Sequence, residues 1–198
     1  EVLETADDGS ARLARRRWAD VRPGDLLVVR DHADVAADAV LLASSDEAAC
    51  AHVETANIDG ETNLKLKHCA PTRARGAAAG GKWATLDALA AGGGERVEAE
   101  FEAPNARIHT FTGALRLFDD GREGGREVAL DHVHLLLRGS TLRNTEWAVG
   151  LVVHVGDDAK IVRNARDAPS KLSAVERVVN AMVVFILGCM ALLTSVCF

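Results

Sequence analysis

The run Asp59-Gly60-Glu61-Thr62-Asn63-Leu64-Lys65 holds the residues of this chain best suited to chemistry. A glycine between two carboxylates, followed by Thr and Asn, is built to present one acid, Glu61, at a tight backbone turn. Gly60 can take a positive φ without penalty, and Thr62 and Asn63 add short hydrogen-bonding side chains. A carboxylate on a stiff loop can orient a water for attack on a phosphorylated or acylated group. A D-G-E-T run standing alone reads as a solvated hairpin tip, so the surrounding sequence has to decide.

Several elements must position this loop. Val53, Thr55 and Ile58 predict a strand over 53–58 that leads into it. Further short apolar runs between turn signals fall at 25–30, 40–43, 108–111, 128–130, 134–137 and 149–155, a spacing that predicts a β-sandwich or jelly roll. The Ala/Gly-rich stretch 71–94, with Trp83 and Leu86, reads as a loop carrying one modest helix. The stretch 119–126 (D-D-G-R-E-G-G-R) reads as a hairpin tip. His132 and His134, two apart on a predicted strand, would share one face. No third ligand stands in register with them, so no metal site is expected.

Composition narrows the function classes. The 198 residues have room for one domain of ordinary size with a real core. A formal net charge of −6 argues against nucleic acid as a partner. Arg15-Arg16-Arg17 is the one basic cluster and reads as a solvated patch, or as an anionic-lipid contact if the domain lies beside a membrane. Cys50, Cys69, Cys189 and Cys197 show neither a disulfide framework nor zinc spacing, which suits a reduced, cytosol-facing chain. Residues 178–198 form an apolar run about long enough to cross a bilayer as a helix, interrupted by Asn180 near its start. Arg163, Arg166, Lys171 and Arg177 crowd its N-terminal side, which the positive-inside rule places in the cytoplasm. Ser170 or Ser173 could cap that helix, while Lys171, Ser173 and Glu176 could equally couple a domain rotation to it. The chain opens without Met or a signal sequence and stops inside the apolar run, so it is expected to be a fragment.

Other runs flank the loop in a fixed order. Upstream stand Trp18, Val21-Arg22-Pro23-Gly24-Asp25-Leu26-Leu27-Val28-Val29, Ala37-Asp38-Ala39-Val40-Leu41-Leu42-Ala43-Ser44-Ser45 and Val53-Glu54-Thr55-Ala56-Asn57-Ile58. Downstream stand Glu102-Ala103-Pro104-Asn105, Phe111-Thr112-Gly113, Leu135-Leu136-Leu137-Arg138-Gly139-Ser140-Thr141-Leu142-Arg143-Asn144-Thr145-Glu146-Trp147 and Gly156-Asp157-Asp158-Ala159-Lys160. Lys171-Leu172-Ser173, Glu176 and Asn180 complete the series. In this order they resemble the actuator domain of a P4-type ATPase, a phospholipid flippase, from about Trp18 to the C-terminus.

The resemblance implies a mainly β fold: a distorted jelly-roll actuator domain over 1–168. A juxtamembrane segment and the first part of a transmembrane α-helix would follow over 169–198. It implies that Glu61 positions the hydrolytic water on an aspartyl-phosphate. Gly60 would allow close approach, and Asp59, Thr62 and Asn63 would support the loop or touch the phosphate region. Mg2+ and ATP would bind in the phosphorylation and nucleotide-binding domains, which this chain lacks; it contains no D-K-T-G. The implied partners are a phospholipid, the membrane, those domains and an accessory β-subunit, with the actuator domain in the cytosol. Arg138 and Arg143 would bridge to neighbouring domains or pair inside the jelly roll. Two departures from the family pattern stand out: Ala36 replaces a Pro that stiffens a turn, and Ala159 replaces a hydroxyl-bearing Thr. The competing expectation is a truncated, non-enzymatic β domain anchored to a membrane.

Overall fold

A computed structural model describes residues 1–5, 11–72, 86–87, 89, 95–119, 125–166 and 174–197. The chain divides into two compact units, Glu1–Asp167 and Ala168–Phe198. The first unit is mainly β. Its strands are β1 (Val2–Thr5), β2 (Ala11–Ala14), β3 (Leu26–Arg30), β4 (Asp38–Ser44), β5 (Cys50–Glu54) and β6 (Lys65–His68). They continue with β7 (Glu95–Phe101), β8 (Gly113–Asp119), β9 (Arg126–Leu130), β10 (Leu135–Leu136), β11 (Thr141–Arg143) and β12 (Trp147–His154). Among the described residues the unit also contains the short helices α1 (Ala56–Asp59) and α2 (Lys160–Arg166) and two 3-10 turns, Trp18–Asp20 and Gly156–Asp158.

Three antiparallel sheets result: β10-β4-β12-β3-β1-β2, β11-β5-β6 and β7-β8-β9. Successive side chains on a strand point to opposite faces, and both faces of the six-stranded sheet are covered. Leu27, Leu41, Leu136 and Val152 pack with Ala51, Val53 and Leu142 of the β5 sheet. Val40, Leu42, Leu135 and Val153 pack with Leu115, Leu117 and Leu130 of the β8 sheet. Strand β4, flanked by β10 and β12, is therefore buried at every position, and its sequence shows a mostly apolar run rather than alternation. Pairing between β4 and β12 shifts register beside Gly150. A Cβ on Gly150 would stand 2.9 Å from Ala39 Cβ, so glycine is what lets these two strands approach.

The mainly β, jelly-roll-like expectation holds, with local corrections. The expected strand over 53–58 stops at Glu54, because Thr55 O accepts the amides of Ile58 (2.8 Å) and Asp59 (3.1 Å) and winds one helical turn. Residues 108–111 form a turn, and the strand begins at Gly113 instead. His132 and His134 lie in a turn rather than on a strand: Asp131 Oδ1 accepts the Val133 amide at 2.9 Å and bends the chain there. The hairpin of β1 and β2 has no counterpart in the sequence reading. Strands β8 and β9 do pair as a hairpin, while its tip and most of the 71–94 stretch lie outside the described residues. Leu86, from the helix expected in that stretch, is fully buried against Leu3, Val28 and Trp147.

The second unit is a helix, α3 (Ala174–Cys197). Its segment Val175–Val196 spans 22 residues at a mean hydropathy of 2.2 and is long and apolar enough to cross a membrane. Asn180 sits two turns into α3 and is exposed, as is Glu176. Ser170, Lys171 and Ser173 lie outside the described residues.

Candidate functional site: the acidic loop between β5 and β6

Strands β5 and β6 pair antiparallel, with Val53 opposite Lys65, and residues 55–64 connect them. The connection begins with α1, closed by the Gly60 amide donating to Ala56 O at 3.1 Å. Gly60 then takes φ +77°, the left-handed conformation that ends a helix. That reversal sends the two flanking carboxylates into different surroundings. The Asp59 side chain is 13% exposed, whereas that of Glu61 is 61% exposed.

Asp59 is spent on the loop itself. Its Oδ1 accepts the Glu61 amide at 3.0 Å, and Thr55 Oγ1 donates to the carboxylate at 3.0 and 3.1 Å. Lys65 Nζ donates to Oδ2. The Lys65 ammonium, more than the other bonds, holds the Asp59 carboxyl down to about 2. Lys65 also reaches Glu61 Oε2 at 3.1 Å. Its own pKa rises in consequence, from the bond to Asp59 first and despite partial burial. Thr62 and Asn63 are exposed, and so are the apolar Leu64 and Leu66 on either side of Lys65. The structure thus gathers Asp59, Gly60 and Glu61 into one hydrogen-bonded unit, with Thr62 and Asn63 at its rim. Lys65 is the member that sequence reasoning left without a role. The acid–acid–base order was visible, but the contact depends on a helical turn and a strand register that were not.

The remaining candidates are held inside the β unit. Arg143 Nε donates to Glu54 Oε2 at 2.8 Å, and Arg143 Nη1 meets His32 Nδ1. Arg138 Nη1 donates to Gly156 O at 2.7 Å, and its guanidinium lies 5.8 Å from the centre of the Trp18 ring. Arg16 pairs with Glu4 and Asp25, and Arg17 with Asp20, which neutralises much of the basic cluster. His134 Nδ1 lies 3.0 Å from Asp131, and no metal-binding cluster occurs among the described residues. Lys67 Nζ donates to His132 O at 2.7 Å, and burial pulls its pKa down to about 8. Cys50, Cys69 and Cys189 are not joined in disulfides.

A second charged cluster went unread in the sequence. Asp38, fully buried at the head of β4, accepts the backbone amides of Arg138 and Lys160, each at 2.8 Å. The equally buried Lys160 sends Nζ to Glu102 Oε1 at 2.7 Å and Asn105 Oδ1 at 2.9 Å. These bonds fasten α2 and the segment after β7 to the central sheet. The two departures from the family pattern lie close by. Around Ala36 the chain is stiffened without proline: Val35 N donates to Ser140 O and Gly139 N to Val35 O, both at 2.9 Å. Ala159 precedes α2 with no side-chain oxygen to cap it.

No family model matches the chain. It is 35% identical over 184 residues to the phospholipid-transporting ATPase DRS2 of Saccharomyces cerevisiae, a match covering 93% of the chain and 12% of the yeast protein. Against the phospholipid-transporting ATPase dnf2 of Schizosaccharomyces pombe it is 35% identical over 187 residues, 89% of the chain and 12% of that protein. Against the probable phospholipid-transporting ATPase 12 of Arabidopsis thaliana it is 38% identical over 177 residues, 88% of the chain and 13% of that protein. Matches over about nine-tenths of the chain place it among the P-type ATPases. It belongs to the P4-type family, and it spans about an eighth of the length of the curated relatives it matches.

Proposed function

We propose that residues 1–168 are the actuator domain of an ATP-driven phospholipid-transporting pump, and that 169–198 lead into its third transmembrane helix. In this reading Glu61 drives hydrolysis of the aspartyl-phosphate intermediate. The observation that carries it is the contrast across Gly60: Asp59 is consumed by the loop, and Glu61 is turned outward on a frame held by Asp59.

Hydrolysis of an aspartyl-phosphate proceeds by in-line attack of water on phosphorus, which needs a base to orient the water and take its proton. Glu61 supplies that carboxylate. The Asp59 bonds hold the backbone that presents it, and Thr62 and Asn63, at the exposed rim, are placed to meet the phosphate region. Leu64 and Leu66 offer apolar contact to the domain that carries the phosphorylated Asp. That domain and the nucleotide-binding domain would hold ATP and Mg2+. The substrate is a phospholipid, the β unit works on the cytosolic side, and an accessory β-subunit is a further partner. The relatives, all named as phospholipid-transporting ATPases, support this assignment.

The test is Glu61→Gln in the full-length protein, with phosphoenzyme formed from radiolabelled ATP and its decay followed. The phosphoenzyme should form normally and decay about a hundredfold more slowly or worse, as expected when a general base is lost. A wild-type decay rate would refute the role given to Glu61.

A further inference from the structure

The exposed carboxylate needs an aim as well as a position. Glu61 has three rotatable side-chain bonds and lies largely in solvent, where such a chain samples many rotamers. Its charged partner is Lys65, at 3.1 Å. An exposed ion pair four residues apart is ordinarily weak, because two mobile side chains must meet. Lys65 is not mobile in that sense. It opens β6, its backbone paired to Val53, and its side chain is only 29% exposed. Its ammonium is tied to Asp59, which is itself held by Thr55 Oγ1 and the Glu61 amide. A continuous set of bonds therefore runs from the β5–β6 sheet through Lys65 to the Glu61 carboxylate.

We propose that Lys65 is a positioning residue for dephosphorylation: its ammonium, fixed by β6 and Asp59, aims the Glu61 carboxylate at the attacking water. This rests on the reading of Glu61 given above. The chemistry asks for a cation here. An ammonium can serve two carboxylates at once and leaves the second oxygen of Glu61 able to accept the proton of the water. A neutral amide in its place would hold Glu61 more weakly, and a small error in the direction of a catalytic group is expensive in rate.

The experiment is a double-mutant cycle on the full-length pump, reading phosphoenzyme level and decay rate in wild type, Lys65→Gln, Glu61→Gln and the double variant. Lys65→Gln should form phosphoenzyme at the normal level, which shows that it folds, and should slow decay about tenfold to a hundredfold. Lys65→Met, which keeps the aliphatic stem, is the companion variant if Gln lowers the yield, and the same slowing is expected of it. Lys65→Arg keeps the charge and a two-pronged donor and should decay within about threefold of wild type. Adding Lys65→Gln to Glu61→Gln should slow decay no further, because Lys65 acts through Glu61.

Two results overturn the proposal: wild-type decay in Lys65→Gln and Lys65→Met, or slowing that multiplies with that of Glu61→Gln. The second would mean that Lys65 acts on the loop fold or on the phosphate itself. Slow decay in Glu61→Gln beside normal decay in the Lys65 variants removes this inference alone. Normal decay in Glu61→Gln removes the reading of the loop and the inference with it.

Discussion

Replacing Asp38 offers the sharpest test of how the β unit is held together. The carboxylate is fully buried and accepts two backbone amides, from Arg138 and Lys160, each at 2.8 Å. Asp38→Ala leaves both donors buried without a partner, at about 1–3 kcal/mol each. Relief from burying a carboxylate offsets part of this, so the net loss should be roughly 2–4 kcal/mol. For a unit of this size that corresponds to a fall of about 5–15 °C in Tm. Asp38→Asn keeps one acceptor but turns an NH2 group toward the other amide, so it should lose about half as much. The assay is thermal or urea unfolding of residues 1–167, followed by tryptophan fluorescence, to which Trp147, 3% exposed in the core, contributes. A pH series adds a sign. Burial raises the Asp38 carboxyl above its ordinary value, against the pull of the two amides, His154 and Lys160. The folded state therefore binds this proton more tightly than the unfolded state, and stability from Asp38 falls as pH rises from the ordinary value through the raised one. The gap between wild type and Asp38→Ala should be smallest above the raised value and widen on acidification through that window. An Asp38→Asn protein within about 0.5 kcal/mol of wild type would refute the claim that both carboxylate oxygens are used.

Two further outcomes follow from the loop and from α2. Asp59 is held down to about 2 from an ordinary 3.8, so the bonds it organises are intact above the ordinary value and lost as pH falls through about 2. Protection of the Glu61 amide, bonded to Asp59 Oδ1, against hydrogen exchange should fall across that interval relative to the intrinsic rate; unchanged protection at the acid end would contradict the assignment. Ala159→Ser gives α2 the capping hydroxyl it lacks and should raise stability by about 0.5–1 kcal/mol in the same unfolding assay. A loss instead would mean that the fully buried Ala159 site has no room for the added oxygen.

What the sequence disclosed followed from how local each signal was. Short Leu- and Val-rich runs bounded by turn residues are local, and most of the strands they mark are present: β3, β4, β9, β10 and β12 all fall on predicted runs. The Gly60 reversal is equally local, since one residue type decides it. The errors arose where a neighbouring side chain redirected the backbone. Thr55 and Asp59 exchange bonds and convert the end of an expected strand into a helical turn, and Asp131 does the same to the expected strand at His134. Contacts distant in sequence were illegible. Asp38 and Lys160 are 122 residues apart, and nothing in the composition of either segment names the other. Lys65 lies between these cases. It stands four residues from Glu61, yet their contact exists only because β6 begins at Lys65 and pairs it with Val53.

The two charged clusters treat their carboxylates in opposite ways, and the contrast explains how one frame can be rigid and still present an exposed acid. Asp38 is sealed in the core with both oxygens on backbone amides, so it serves to join elements. In the loop the two roles are divided between neighbours: Asp59 takes the joining role, and Glu61 is released from it. The division depends on Gly60, and in a particular way. No heavy atom lies within 4 Å of the place a Cβ would occupy, so crowding inside this unit does not demand glycine there. The demand comes from φ +77°, which other residues adopt only with strain. A residue that resisted this angle would unwind the reversal after α1 and separate the Glu61 amide from Asp59. The acid would then lose both its backbone anchor and its distance from Lys65, with no change in the charges the loop carries. Glycine at 60 is thus a condition on direction, and direction is what the role proposed for Glu61 requires.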